Sequence, residues 1–203
     1  MDRILLTEAD IRRARGGVLR VESEFLLTPT AQDLALKLGV RVEIARPGQS
    51  LTQGKRVVAV AADHGGFEMK EQLKTHVEAL GFLVLDFGTR SREAVDYPDF
   101  AHAAAQAVAD GSAERAIIVD GAGIGSCMVA NKVPGVRAAK CDSMADIENS
   151  RQHNDANVLT LGARLDRALA KEMCASWLEL EFEGGRHARR VEKIALVEKR
   201  YAR

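Results

Sequence analysis

The residues best placed to do chemistry lie in Ile117-Ile118-Val119-Asp120-Gly121-Ala122-Gly123-Ile124-Gly125-Ser126. An apolar run delivers the Asp120 carboxylate to its end, and a glycine-rich turn opens a helix directly after it. Glycines let backbone approach a ligand, and the free N–H groups at a helix start favour anions. The plainer alternative is a tight turn whose amides bond Asp120 itself. A second cluster, Asp63-His64-Gly65-Gly66, closes the apolar run from Val57 to Ala62, and a third is Arg151-Gln152-His153-Asn154-Asp155. Arg164 stands just past the run from Val158 to Leu161. Arg186 and Arg190 are four apart, so on a helix they share a face and could clamp one phosphate; a solvated basic tail is the alternative. His76 and His102 fall in amphipathic stretches and receive no role.

Dinucleotide binding competes for the glycine loop. Gly121 and Gly123 fit two positions of G-x-G-x-x-G, and Asp142 could stand as the ribose acid. Ser126 occupies the third position, however, and the fingerprint belongs on the first strand, where Val57 to Gly66 lacks it.

These residues need a scaffold that presents them together. Apolar runs at 57–62, 83–86, 116–119, 136–141 and 158–161 alternate with helical patterns at 66–80, 98–109, 124–132, 143–152, 166–180 and 187–200. Such alternation implies an α/β fold with a five-stranded parallel sheet covered on both faces. In such sheets ligands sit beyond the carboxyl ends of the strands, where Asp63, Asp120, Asp142 and Arg164 fall. The polar stretch Pro47–Gly54 reads as a linker, separating an N-terminal extension, residues 1–50, from a main domain, residues 56–203. In the extension, Thr7-Glu8-Ala9-Asp10 could cap a helix ending at Gly16-Gly17, followed by a strand at 18–21. Thr28-Pro29 opens a second helix to Gly39, and Val40, Val42 and Ile44 alternate as in a strand. So small a segment is expected to pack on the main domain or on a partner.

Composition narrows the class. The 203 residues carry 29 Lys+Arg against 29 Asp+Glu, which argues against nucleic-acid binding through a broad basic field. No apolar run reaches membrane-spanning length, and three cysteines without metal-like spacing suggest a reduced, cytoplasmic protein.

Together the clusters resemble the type B ribose-5-phosphate isomerases and the related galactose-6-phosphate isomerases, over roughly residues 56–200. The resemblance rests on Asp63-His64-Gly65-Gly66-Phe67, Asp86-Phe87-Gly88-Thr89, Val95-Asp96-Tyr97-Pro98-Asp99, the Gly121–Gly125 loop, Ala130–Ala138, Arg151–Leu159 and Glu183–Glu192. It implies a Rossmann-like three-layer fold, no metal or organic cofactor, and a homodimer or tetramer with active sites shared across the interface. It also implies a phosphorylated sugar as substrate. His153 would then open the sugar ring. Asp63, His64 and Asn154 would hold substrate oxygens, and Arg164, Arg186 and Arg190 the phosphate.

The chain departs from the family where a cysteine usually serves as base: that position is Asp120, and the following threonine position is Ala122. A minority of the family uses a glutamate where this chain has Ser126. Cys127, one residue on, is expected to face the sheet. Asp120 is therefore expected to move the proton through an enediolate. Gly121, Gly123, Gly125 and Ser126 would line the substrate, their amides holding the developing charge. A carboxylate also suggests a tetrose or hexose phosphate in place of ribose 5-phosphate. The alternative is an inactive sugar-phosphate-binding subunit. The extension is expected to pack on the isomerase dimer, ahead of serving as a docking segment.

Overall fold

Thr28 and Pro29 start a helix as their types require, since the Thr28 hydroxyl accepts the Ala31 amide at 3.2 Å and proline tolerates the first turn. They lie in a computed structural model that describes residues 4–6, 8, 11, 18–21, 25–38, 40–44 and 56–201. The chain divides into two units, Met1–Gln53 and Gly54–Arg203; the expected linker lies outside the described residues. The first unit holds β1 (Ile4–Leu6), β2 (Val18–Val21), β3 (Phe25–Leu27), α1 (Pro29–Leu38) and β4 (Arg41–Ile44). β1 pairs in parallel with β3, and β2 with β4. Ile11, Ala31, Ala35 and Val40 form a small core of their own. The expected first helix falls mostly outside the described residues.

The second unit runs β5 (Val57–Ala62), α2 (Phe67–Ala79), β6 (Leu83–Asp86), α3 (Tyr97–Ala109), β7 (Arg115–Asp120), α4 (Ile124–Ala130), β8 (Ala138–Lys140), α5 (Met144–Glu148), a π-helical turn (Asn149–His153), β9 (Val158–Gly162), α6 (Arg167–Glu179), a 3₁₀ turn (Gly185–His187) and α7 (Ala188–Tyr201). Its five strands form one parallel sheet ordered β6-β5-β7-β9-β8. The three inner strands are buried along their whole length, which is why apolar residues dominate their sequences.

Side chains alternate between the two faces. Ile117 and Val119 join α2 and α6 in a core that holds Met69, Leu73, Met173, Trp177 and Leu178. Ala116 and Ile118 face the alanines of α3, Ala101, Ala104, Ala105 and Ala107, whose small side chains let that helix approach closely. Each buried Ile or Leu contributes about 2 kcal/mol of transfer free energy, so the sheet is the rigid frame for the loops at its ends.

Candidate active site

At the carboxyl end of the sheet, Asp120 is the last residue of the central strand β7 and is only 5% exposed. Its Oδ1 accepts the amides of Ala122 (2.8 Å) and Gly123, and its Oδ2 accepts the Ser126 amide (2.9 Å). Burial pushes its pKa up, but the Ser126 hydroxyl beside it and the amides of Ser126, Ala122 and Gly123 outweigh burial and hold it below the ordinary carboxylate value. The buried Ser126 Oγ makes no hydrogen bond of good geometry, so it acts on Asp120 as a neighbouring dipole. No cation pairs with Asp120 among the described residues.

The loop geometry dictates its glycines. Gly123 has φ +74°, and a Cβ there would lie 2.9 Å from the Leu161 carbonyl carbon. A Cβ on Gly125 would lie 2.6 Å from the Tyr97 ring, so the loop is shaped around that tyrosine. Tyr97, 39% exposed, is a site neighbour to which the sequence reading gave no role; its signal was the run Val95–Asp99.

The register pairs Ala62 with Val119, which sets Asp63 beside Asp120 on the adjacent strand. Asp63, 8% exposed, accepts the Gly66 amide on Oδ1 at 2.9 Å. His64 Nδ1 lies 3.2 Å from both the amide and the carbonyl of Val95, which anchors its ring to the loop before α3. Arg164, two residues past β9, is exposed and carries no polar partner among the described residues. Cys127 does face the sheet, its thiol 3.4 Å from the Ala138 carbonyl of β8. Asp142 is tied to Lys140.

The remaining expected residues gather at the amino end. His153 ends the π-turn that leads back to β9, in place of the regular helix expected to continue to residue 152. The extra residue in the turn brings the Asn154 side chain onto Asn149, at 3.1 Å from its carbonyl and 2.8 Å from its Oδ1. Asn149 Nδ2 is also 3.1 Å from His153 Nδ1. Next, Asp155 adopts φ +47°, held by Arg137 (2.7 Å) and by the buried Arg151 (3.0 Å), so Arg151 is a brace for this turn. His153 stacks on His187 with ring centroids 4.2 Å apart and planes 4° from parallel. Glu183 Oε2 lies 3.8 Å from His153 Nε2 and 4.0 Å from His187 Nε2. Arg186 Nε donates to His187 Nε2 at 3.2 Å. Burial, then the neighbouring His153, Arg186 and Arg190, pull the His187 pKa below its ordinary value against the opposing pull of Glu183. Arg186 sits in the 3₁₀ turn and Arg190 in α7, so the two do not share one regular helix as expected, although both act on the charge of His187. Glu183 and His187 received no role from the sequence, although their spacing of four was visible there.

The two groups occupy opposite ends of the same strands. His153 precedes the first residue of β9 and the Glu183 amide bonds the Gln152 carbonyl, whereas Asp120 and Arg164 follow strand ends. Five residues of strand separate them by about 17 Å. No hydrogen bond or ion pair joins the groups among the described residues.

A doubly covered parallel sheet with acids at its carboxyl ends is the architecture of the α/β class that binds its ligands at those ends. The sequence profile of the ribose/galactose isomerase family matches residues 58–194, and the chain belongs to that family. Ribose-5-phosphate isomerase B of Escherichia coli is 42% identical over 144 residues, 70% of this chain and 97% of that protein. D-erythrulose-4-phosphate isomerase of Pectobacterium atrosepticum is 41% identical over 143 residues, 70% of this chain and 94% of that protein. Among solved structures, ribose-5-phosphate isomerase B of Clostridium thermocellum is 45% identical with a TM-score of 0.71, covering 72% of this chain and 99% of that one. No helix among the described residues is long and apolar enough to cross a membrane.

Proposed function

We propose that the chain interconverts an aldose phosphate and a ketose phosphate of four to six carbons by proton transfer through an enediolate. Asp120 takes the proton from C2 of the aldose and returns it to C1, while the hydroxyl proton moves between the two oxygens, so substrate and product are isomers. His153 opens the ring of substrates that close one. Asp63, His64 and Asn154 hold hydroxyls, and Arg164, Arg186 and Arg190 hold the phosphate. The observation that carries this reading is Asp120 itself, a buried carboxylate kept ionised at the end of the central strand with no cation paired to it among the described residues.

Two features refine it. The amides of Ala122, Gly123 and Ser126 are spent on Asp120, so the expectation that they hold the enediolate gives way to the Gly121 amide, which has no partner among the described residues. The opposite placement of the two groups supports a homodimer or tetramer, in which one copy lends its His153 end to the Asp120 end of another. The names of the two curated relatives support a four- or five-carbon substrate. The family profile matches only within the second unit, which supports a packing or docking role for residues 1–50 outside the chemistry.

The three amide bonds to Asp120 also favour a second reading, in which the carboxylate only braces the loop and the chain binds a sugar phosphate without isomerising it. Incubation with four-, five- and six-carbon sugar phosphates in deuterated water separates the two. Deuterium incorporation at C1 or C2 supports isomerisation. Saturable binding without exchange on any of them supports the second reading.

A further inference from the structure

We propose that Thr160 is a positioning residue for the proton transfer: its buried hydroxyl fixes Gly123, and through Gly123 it fixes the carboxylate of Asp120. Thr160 stands in the middle of β9, the one hydroxyl-bearing side chain in Val158-Leu159-Thr160-Leu161-Gly162, and it is 0% exposed. A hydroxyl taken out of water needs a partner. Thr160 Oγ1 finds it across 37 residues of chain, donating to the Gly123 carbonyl at 2.8 Å. Valine has nearly the same shape and suits a buried strand as well, so what threonine adds at this position is that bond.

Gly123 is the residue at which such a bond has most effect. It holds the left-handed conformation that opens α4, and its carbonyl receives the first helical bond from the Cys127 amide at a long 3.4 Å. Thr160 is therefore the closer of its two donors. The Gly123 amide in turn donates to Asp120 Oδ1, as does the Ala122 amide. Two amides fill Oδ1, whereas Oδ2 accepts the Ser126 amide alone and keeps a lone pair for the substrate proton. Without the hydroxyl, Gly123 can turn, its amide leaves Oδ1, and the carboxylate loses its fixed direction. The other neighbours of Asp120 do not depend on Thr160. The register sets Asp63 beside it from β5 and pairs it with Gly162 of β9, with Arg164 two residues on, and α4 contributes Ser126.

The proposal rests on the reading of Asp120 as the base. The test compares full-length Thr160→Val and Thr160→Ser with the unmutated protein on sugar phosphates of four to six carbons. Thr160→Val should lower kcat about tenfold or more and leave KM within about twofold, because a base set askew slows the transfer without loosening the phosphate. Thr160→Ser, which keeps the hydroxyl, should restore kcat to within about threefold. Carbon NMR follows the Asp120 carboxyl directly, its signal assigned by its absence from Asp120→Asn. Loss of the Gly123 amide should move its titration midpoint to higher pH in Thr160→Val and not in Thr160→Ser. A role confined to packing would lower the melting temperature and leave kcat and the midpoint where they were, and that result overturns the proposal. A loss of kcat that Thr160→Ser shares in full, or a rise in KM at unchanged kcat, overturns it as well. Failure of the underlying reading looks different: Asp120→Asn would turn over normally, while the midpoint still reports whether Thr160 holds the carboxylate. Should Thr160→Val misfold, Thr160→Ser against Thr160→Ala, which differ by the hydroxyl alone, gives the same comparison.

Discussion

The Lys70 ammonium is buried to 1% exposure against Asp86, lying 2.9 Å from each carboxylate oxygen. It also donates to the Thr89 carbonyl at 3.1 Å, tying α2 to the loop after β6. Lys74 adds a second cation to Asp86 at 3.0 Å.

Removing the buried cation leaves Asp86 to Lys74 and the Gly88 amide and leaves the Thr89 carbonyl without its donor, so Lys70→Met should cost about 1–3 kcal/mol. Urea denaturation at neutral pH checks this. Burial pushes the Asp86 pKa up, but Lys70, Lys74 and the Gly88 amide together hold it below the ordinary 3.8. A group with a depressed folded pKa contributes stability above its ordinary value and loses it as pH falls toward the folded one. The gap between wild type and Lys70→Met should therefore be full at pH 7 and shrink below about pH 4. A gap that is constant across that range would refute the pairing.

Asp120→Asn should slow turnover by about 10²–10⁴-fold while sugar-phosphate affinity stays within a few-fold. The same change turns a donor toward backbone donors, because an amide nitrogen must face Ser126 N or the Ala122 and Gly123 pair. It should also cost about 1–3 kcal/mol of stability. Near-normal turnover would remove Asp120 as base, whatever the melting temperature does.

A tetrose bearing its phosphate on O4 has no free hydroxyl with which to close a five-membered ring. His153→Ala should therefore slow a pentose or hexose phosphate by about 10²-fold or more and spare a tetrose 4-phosphate. Equal losses on both would assign His153 to the proton transfer itself.

Arg190→Ala should weaken sugar-phosphate binding by about 10–100-fold, the magnitude of a lost charged hydrogen bond, with a smaller effect on kcat. Steady-state kinetics with inorganic phosphate as competitor measures both. An unchanged KM would take Arg190 out of the phosphate site.

The sheet was legible because its signal is local. The apolar runs in β5, β7 and β9 follow from burial on both faces, and a buried Asp120 at a strand end follows from its neighbours. β1 and β3 escaped because three-residue strands such as Phe25–Leu27 carry no period. The π-turn escaped because one inserted residue does not disturb a helical pattern until Asn154 and Asp155 are seen to bend back. The loop amides were assigned to a ligand where they bond Asp120, since spacing shows that donors exist but not which acceptor they meet. The stack of His153 on His187 joins residues 34 positions apart and has no sequence signature.

The separation of the two polar groups by a strand's length has a bearing on dilution and on damage. On the shared-site reading, a solution thinned until copies part should go silent although every chain stays folded, and activity should return on concentration. Likewise, a chain crippled at Asp120 and another crippled at Arg190, each inert alone, should regain turnover once mixed. In the mixed pair one of the two clefts draws its sound halves from different parents, so rescue should plateau well short of the unmutated rate.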